Sequence, residues 1–87
     1  MGFRAVKRME YHNGTGINGM AVIQPGTILK EAHWSDMGSD DREAFKKMVK
    51  RQKQRQPNER LGFFHYDGRI RAAVFMKEIR PVRHRDE

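Results

Sequence analysis

Three observations predict an α+β fold. Ser39 to Gln56 carries a strong helical period, Pro25-Gly26 separates two short β-rich runs, and Asp67-Gly68 separates two longer alternating ones. The predicted order is β-β-β-α-β-β: a small single domain over residues 1–80, with about five short strands in an antiparallel sheet and one amphipathic basic helix packed on one face. Residues 81–87 follow as a charged tail, a flexible one by its composition.

Residues 3–11 alternate as a strand does, with Phe3, Ala5, Met9 and Tyr11 on one side and Arg4, Arg8 and Glu10 on the other; Val6 and Lys7 blur the pattern. His12 to Gly19, HNGTGING, has the glycine and asparagine content of a loop that visits positive φ. Gly14, Gly16 and Gly19 fit G-x-G-x-x-G. A strand follows them, however, where a dinucleotide or phosphate loop needs a helix N-terminus, so the motif predicts a connection. Residues 19–24 and 27–31 read as two strands joined across a type II turn at Pro25-Gly26, hence a hairpin. Trp34 and Met37, in the bridge from Ala32 to Ser39, pin that bridge to the core edge.

In the helix near 40–55, Ala44, Phe45, Met48 and Val49 share one stripe, which should face the core. Lys46, Lys47, Lys50, Arg51, Lys53 and Arg55 fill the remaining arc. Ser39 or Asp40 is the expected cap, acidic residues occupy the first turn, and Pro57 ends the helix. After it, Asp67-Gly68 predicts a two-residue hairpin turn between strands near 60–67 and 69–79. That register sets Tyr66 opposite Arg69, Phe64 opposite Arg71 and Leu61 opposite Val74. One face then collects Leu61, Phe63, His65, Ile70, Ala72, Val74 and Met76 and receives the helix. The other presents Arg60, Gly62, Phe64, Tyr66, Arg69, Arg71 and Phe75.

The formal charge is +7, from 18 Lys and Arg against 11 Asp and Glu. The excess lies in the C-terminal half: residues 40–56 hold seven basic and three acidic side chains, and residues 60–85 hold seven and two. A localised excess of this kind points to a polyanionic partner, nucleic acid first and an acidic protein surface second. The chain has no cysteine, which excludes disulfides, thiolate metal sites and cysteine nucleophiles. No apolar run approaches the roughly 20 residues of a membrane span, and the N-terminus lacks a signal-peptide core, so a cytoplasmic protein without membrane attachment is expected. His12, His33, His65 and His84 have no metal-ligand spacing; neither a metal nor a cofactor is expected.

Aromatic rings between guanidinium groups on a sheet face offer planes for bases and charges for phosphates. The expected function is therefore non-enzymatic nucleic-acid binding, with Lys46, Lys47, Lys50, Arg51, Lys53, Arg55, Arg60, Arg69 and Arg71 on the backbone and Phe64 and Tyr66 as stacking rings. A small ribonuclease built on a histidine pair is the enzymatic alternative, and it requires two histidines to converge. The other alternative is an interaction protein that inhibits or regulates a larger nucleic-acid-handling complex; in composition the chain resembles accessory proteins of phages and mobile elements. An open sheet face or edge would also suit a homodimer.

Overall fold

The computed structural model describes residues 2–16 and 18–82. The expected tail residues from 83 on, including Arg83, His84 and Arg85, lie outside the described residues. The strands are β1 (Gly2–Ala5), β2 (Met9–His12), β3 (Met20–Ile23), β4 (Ile28–Glu31), β5 (Leu61–Tyr66), β6 (Ile70–Phe75) and β7 (Ile79–Pro81). One helix, α1 (Ser39–Arg55), lies between β4 and β5, and short 3₁₀ turns occupy Trp34–Asp36 and Met76–Glu78. The larger sheet is antiparallel in the order β6-β5-β4-β1-β7, and β2 pairs with β3 separately.

The α+β class and the single helix agree with expectation, and the order of elements agrees roughly. The strand expected near 69–79 ends at Phe75, and after the 3₁₀ turn a further strand, β7, pairs with β1 and takes in Pro81, which was expected to open the tail. Three details of strand pairing also differ. First, the strand expected over 3–11 is two strands in two sheets. Phe3, Ala5, Met9 and Tyr11 keep one phase and the last three are buried, but Lys7 occupies the inward phase between them. A lysine is rarely buried without a partner, and the chain leaves the sheet at Val6, Lys7 and Arg8, all exposed.

Second, Pro25-Gly26 makes its turn without making a hairpin. Thr27 N–H donates to the Gln24 carbonyl (3.2 Å), and Gly26 takes the positive φ of 86° that such a turn requires. The backbone of Ala5 intervenes, accepting from Gly26 N–H (2.8 Å) and donating to the Thr27 carbonyl (3.0 Å). The turn thus becomes a corner, with β3 leaving to pair with β2 and β4 entering between β1 and β5.

Third, the β5-β6 register is displaced by one residue. Tyr66 pairs with Ile70, His65 with Arg71, Phe64 with Ala72, Phe63 with Ala73 and Leu61 with Phe75. Asp67 and Gly68 have the expected positive φ, 46° and 90°, but Arg69 joins them in the loop. A shift of one residue exchanges the faces of β6 relative to β5. The expected pairing would have put Arg71 beside Phe64 and Tyr66; the observed one turns Arg71 to the helix side, where its Nε donates to the Asp41 carboxylate.

Each face of the hairpin consequently has its own apolar cluster. Phe64, Tyr66, Ala72 and Val74 join Ala5, Met9, Tyr11, Ile23, Leu29 and Ile79 in the main core, which the β2-β3 pair closes. On the other face Phe45 and Met48 of α1 pack with Ala73, flanked by Phe63, Met37 and Val49. The helical stripe thus performs as expected, and Trp34 and Met37 pin the bridge: the Trp34 and Phe63 ring centroids lie 5.8 Å apart. The N-cap is Gly38, with no side-chain cap, in place of Ser39 or Asp40.

The stripe also continues one position further than the apolar pattern. Gln52, four residues after Met48, is fully buried. Its Nε2 donates to the Ala73 carbonyl (2.8 Å), and its Oε1 accepts from the His12 backbone N–H (3.1 Å) and from Arg55 (2.7 Å). One amide thereby ties α1 to both sheets.

Candidate nucleic-acid interface

The residues expected to bind divide into three groups. Phe64 and Tyr66 are 1% and 9% exposed. Phe64 stands edge-on to Phe3 and Tyr66 edge-on to Tyr11, and the two tyrosine hydroxyls share a hydrogen bond of 2.9 Å. Neither ring has a free face, which overturns their expected stacking role. The cause is the separate β2-β3 pair, which closes over the sheet face opposite α1, the face both rings occupy, and makes it the main core.

A second group is cationic but already engaged. Arg71 is paired with Asp41. The Arg55 guanidinium reaches Gln52, the Glu10 carbonyl (3.4 Å) and the face of Phe75 (5.8 Å to the centroid), and so bridges the C-terminal end of the helix to β2 and β6. Half-buried Arg51 donates to Gln54 on its own helix (3.3 Å).

The third group comprises Lys46, Lys47, Lys50, Lys53, Arg60 and Arg69. All are exposed, and the side chain of none makes a hydrogen bond or ion pair with another of the described residues. Lys46, Lys50 and Lys53 recur at i, i+4 and i+7, so they share one flank of the helix. Arg42 precedes them on that flank; its Nη2 donates to the Trp34 carbonyl (3.0 Å) while its guanidinium lies 5.4 Å from the centre of the Trp34 ring. Lys47 stands on the opposite flank, against the Gly14 to Gly16 loop, in a recess whose walls include Asp40 and Glu43. Those carboxylates disfavour an anion in the glycine loop.

The exposed aromatic beside free cations is therefore Trp34, 38% exposed, rather than either ring of β5. Trp34 and Arg60 line one shallow cleft with His33, Phe63 and Met76. A tryptophan in a polar bridge was the available signal, since such a ring either pins a loop or offers a face; here it pins the bridge between Phe63 and the Arg42 guanidinium and stays partly exposed.

The open sheet surface exists, but not where it was expected. Strand pairing puts Arg4, Ile28, Lys30 and Arg80 on the helix side of the larger sheet, across β4, β1 and β7, beyond the strands that α1 covers. All four are exposed. Arg80 donates to nearby backbone carbonyls, while the side chains of Arg4 and Lys30 have no hydrogen-bond or ion-pair partner among the described residues.

His65 is half-buried against Phe45 (6.0 Å between ring centres), as its expected core-side position implied. Among the described residues no group of three or more His, Asp or Glu side chains could hold a metal ion, and no helix is long and apolar enough to cross a membrane. Burial pushes the pKa of the Tyr11 hydroxyl up from its ordinary value, helped by the hydrogen bond to Tyr66. No protein-family model, curated protein or solved structure matches the chain.

Proposed function

We propose that this chain is a small non-enzymatic nucleic-acid-binding protein that grips phosphates along the exposed side of α1, through Lys46, Lys47, Lys50 and Lys53, with Arg60 and the Trp34 ring at its margin. The observation that carries the reading is the set of unpartnered helix lysines. They project from a helix fixed at Phe45, Met48 and Gln52, so their spacing is held by the fold while their charges stay available to an external anion. A helix needs no such excess for its own sake. Basic residues near its C-terminus suit the dipole within the last turn only, and Lys46 and Lys47 lie well before it.

Contacts of this type recognise the backbone and not the base sequence. Trp34 adds a sequence-tolerant stacking surface, the kind used on unpaired bases. The reading therefore favours single-stranded over double-stranded nucleic acid.

The test is fluorescence anisotropy with labelled single- and double-stranded DNA and RNA over a range of salt. Engagement of about five phosphates gives a log K against log salt slope of about −4, and replacing the helix lysines Lys46, Lys47, Lys50 and Lys53 with Gln should flatten it by about 3. Unchanged affinity and slope in that variant would refute the reading.

A second reading, an interaction protein acting on a larger complex, is favoured by a different observation. Met20 and Val22 alternate on β3 and are 44% and 37% exposed, whereas Ile23 is buried. Under that reading Met20→Ser with Val22→Ser abolishes partner binding, and the lysine variant retains it.

A further inference from the structure

We infer that the recess between the first turn of α1 and the β5-β6 turn is a binding site for a single phosphate group. Its principal side chains are Lys30, His65, Arg69 and Arg71, and its volume is about 400 Å³. Strand pairing builds the site: Lys30 is opposite His65, and His65 is opposite Arg71. The three form one row across β4, β5 and β6, on the helix side of the sheet, with neighbouring Cβ atoms about 5 Å apart by the geometry of such pairs. Arg69 enters from the turn because the three-residue loop leaves it there.

Charge accounting favours an anion. The lining contributes Lys30, Arg69 and Arg71 against Glu31 and Asp41, a net of +1 with His65 neutral. Both carboxylates already face cationic or ring-nitrogen partners: Asp41 is matched by Arg71, and Glu31 approaches the His33 ring (3.9 Å). Lys30 and Arg69 have no such partner among the described residues. Two free cations thus flank an imidazole on a floor made rigid by the sheet.

Alternative occupants fit less well. The lining is Lys30, Glu31, Asp41, His65, Gly68, Arg69 and Arg71, with no aliphatic or aromatic hydrocarbon side chain to desolvate an apolar ligand. A divalent cation would meet the two free cations. Lys30 and Arg69 together with a ring N–H offer several donors to a phosphate oxygen set, and the two carboxylates of the lining, Asp41 and Glu31, are turned to partners of their own.

The source of the phosphate rests on the nucleic-acid reading: it is either the terminal phosphomonoester of a strand or an internal phosphodiester. The first arm of the test titrates the full chain with inorganic phosphate and follows the His65 ring resonances by NMR. A saturable shift of those resonances is expected. Lys30→Gln with Arg69→Gln should weaken it at least about tenfold, because two charge-assisted hydrogen bonds are lost, while the helix-lysine variant leaves it unchanged. Both substituted side chains are exposed, so the variant keeps its fold, which circular dichroism verifies.

In the second arm, one oligonucleotide is compared with and without a 5′-phosphate. A preference for the phosphorylated strand that disappears in the double variant assigns the site to strand ends. Equal binding of both strands, weakened in the double variant, assigns it to the backbone. Absence of a saturable His65 shift, or the same shift in the double variant, overturns the site even where oligonucleotides bind. A phosphate response without oligonucleotide binding would refute the helix interface and leave the site standing.

Discussion

The two faces of the β5-β6 hairpin use adjacent residues for opposite ends. Phe64, Tyr66, Ala72 and Val74 point into a core closed by β2 and β3 and are almost wholly withdrawn from solvent. Their neighbours Phe63, His65, Arg71 and Ala73 face the helix, where packing is partial and charged groups reach the surface. The inner face supplies stability and leaves no room for a ligand. The outer face is incompletely covered, and its uncovered part carries the free cations. Aromatic content alone does not separate these roles, since Phe63 and Phe64 are consecutive; strand alternation does, together with what covers each face.

The largest expected effect breaks the inner face. Phe64→Ala removes a ring that is 1% exposed and should cost about 3–5 kcal/mol. That is comparable to the whole stability of many small domains, so the variant should be largely unfolded by circular dichroism at 37 °C. Trp34→Ala on the outer side should cost less than about 1.5 kcal/mol and lower affinity for single strands severalfold by anisotropy. Equal destabilisation by the two substitutions would contradict the division between the faces.

Gln52 joins the two faces, and its loss ranks next. Gln52→Leu keeps the volume but leaves the Ala73 carbonyl and the His12 N–H without the amide that satisfies them. Each buried orphan costs about 1–3 kcal/mol, so a loss of about 2–4 kcal/mol is expected in urea unfolding. Arg55 should loosen at the same time, since its shortest hydrogen bond goes to Gln52 Oε1.

The helix, its apolar stripe and both turn sites were legible because each is a local property: a 3.6-residue period, or a residue pair with a demanding φ. What the sequence concealed was partner choice. Nothing local announces that Ala5 will insert its backbone at the Pro25-Gly26 corner, or that Arg69 will stay in the hairpin loop. The second omission moved Arg71 to the helix side, and the separate pairing of β2 with β3, which covers the opposite face, took Phe64 and Tyr66 from the proposed site into the core. The helix lysines were legible as candidates because an exposed helical arc does not depend on strand register. Lys30 was not, because its place beside His65 and Arg71 exists only once β4 has been set against β5. Gln52 was within reach: it continues the Phe45 and Met48 stripe at i+7 and i+4, but a polar residue on that stripe gives no sign of the partners that bury it.

A smaller effect belongs to the inner face in alkaline solution. Tyr11 titrates near 10.0 when unfolded, and burial raises that value in the fold. The folded state thus favours the neutral phenol. Its contribution is complete below pH 10 and is lost as pH rises above it, because the unfolded chain ionises first. Tyr11→Phe should cost about 1 kcal/mol at neutral pH through the lost hydroxyl contact to Tyr66. The alkaline decline of melting temperature should also be shallower in the variant, and an unchanged decline would place its origin elsewhere.

The smallest effect on stability is expected on the outer face, and its sign is informative. Lys46 and Lys50 are four residues apart and Lys50 and Lys53 three apart, so each pair sets like charges side by side on the helix, a cost of about 0.2–0.5 kcal/mol per pair at low salt. Lys46→Gln, Lys50→Gln and Lys53→Gln combined should therefore raise stability by a few tenths of a kcal/mol in urea unfolding, and the gain should shrink as salt screens the repulsion. The same variant should lose nucleic-acid affinity, most at low salt, where counterion release contributes most. Opposite movement of stability and binding is the signature of charges held against the interest of the fold. A variant that instead loses stability in proportion to its binding would show that these lysines serve the helix itself.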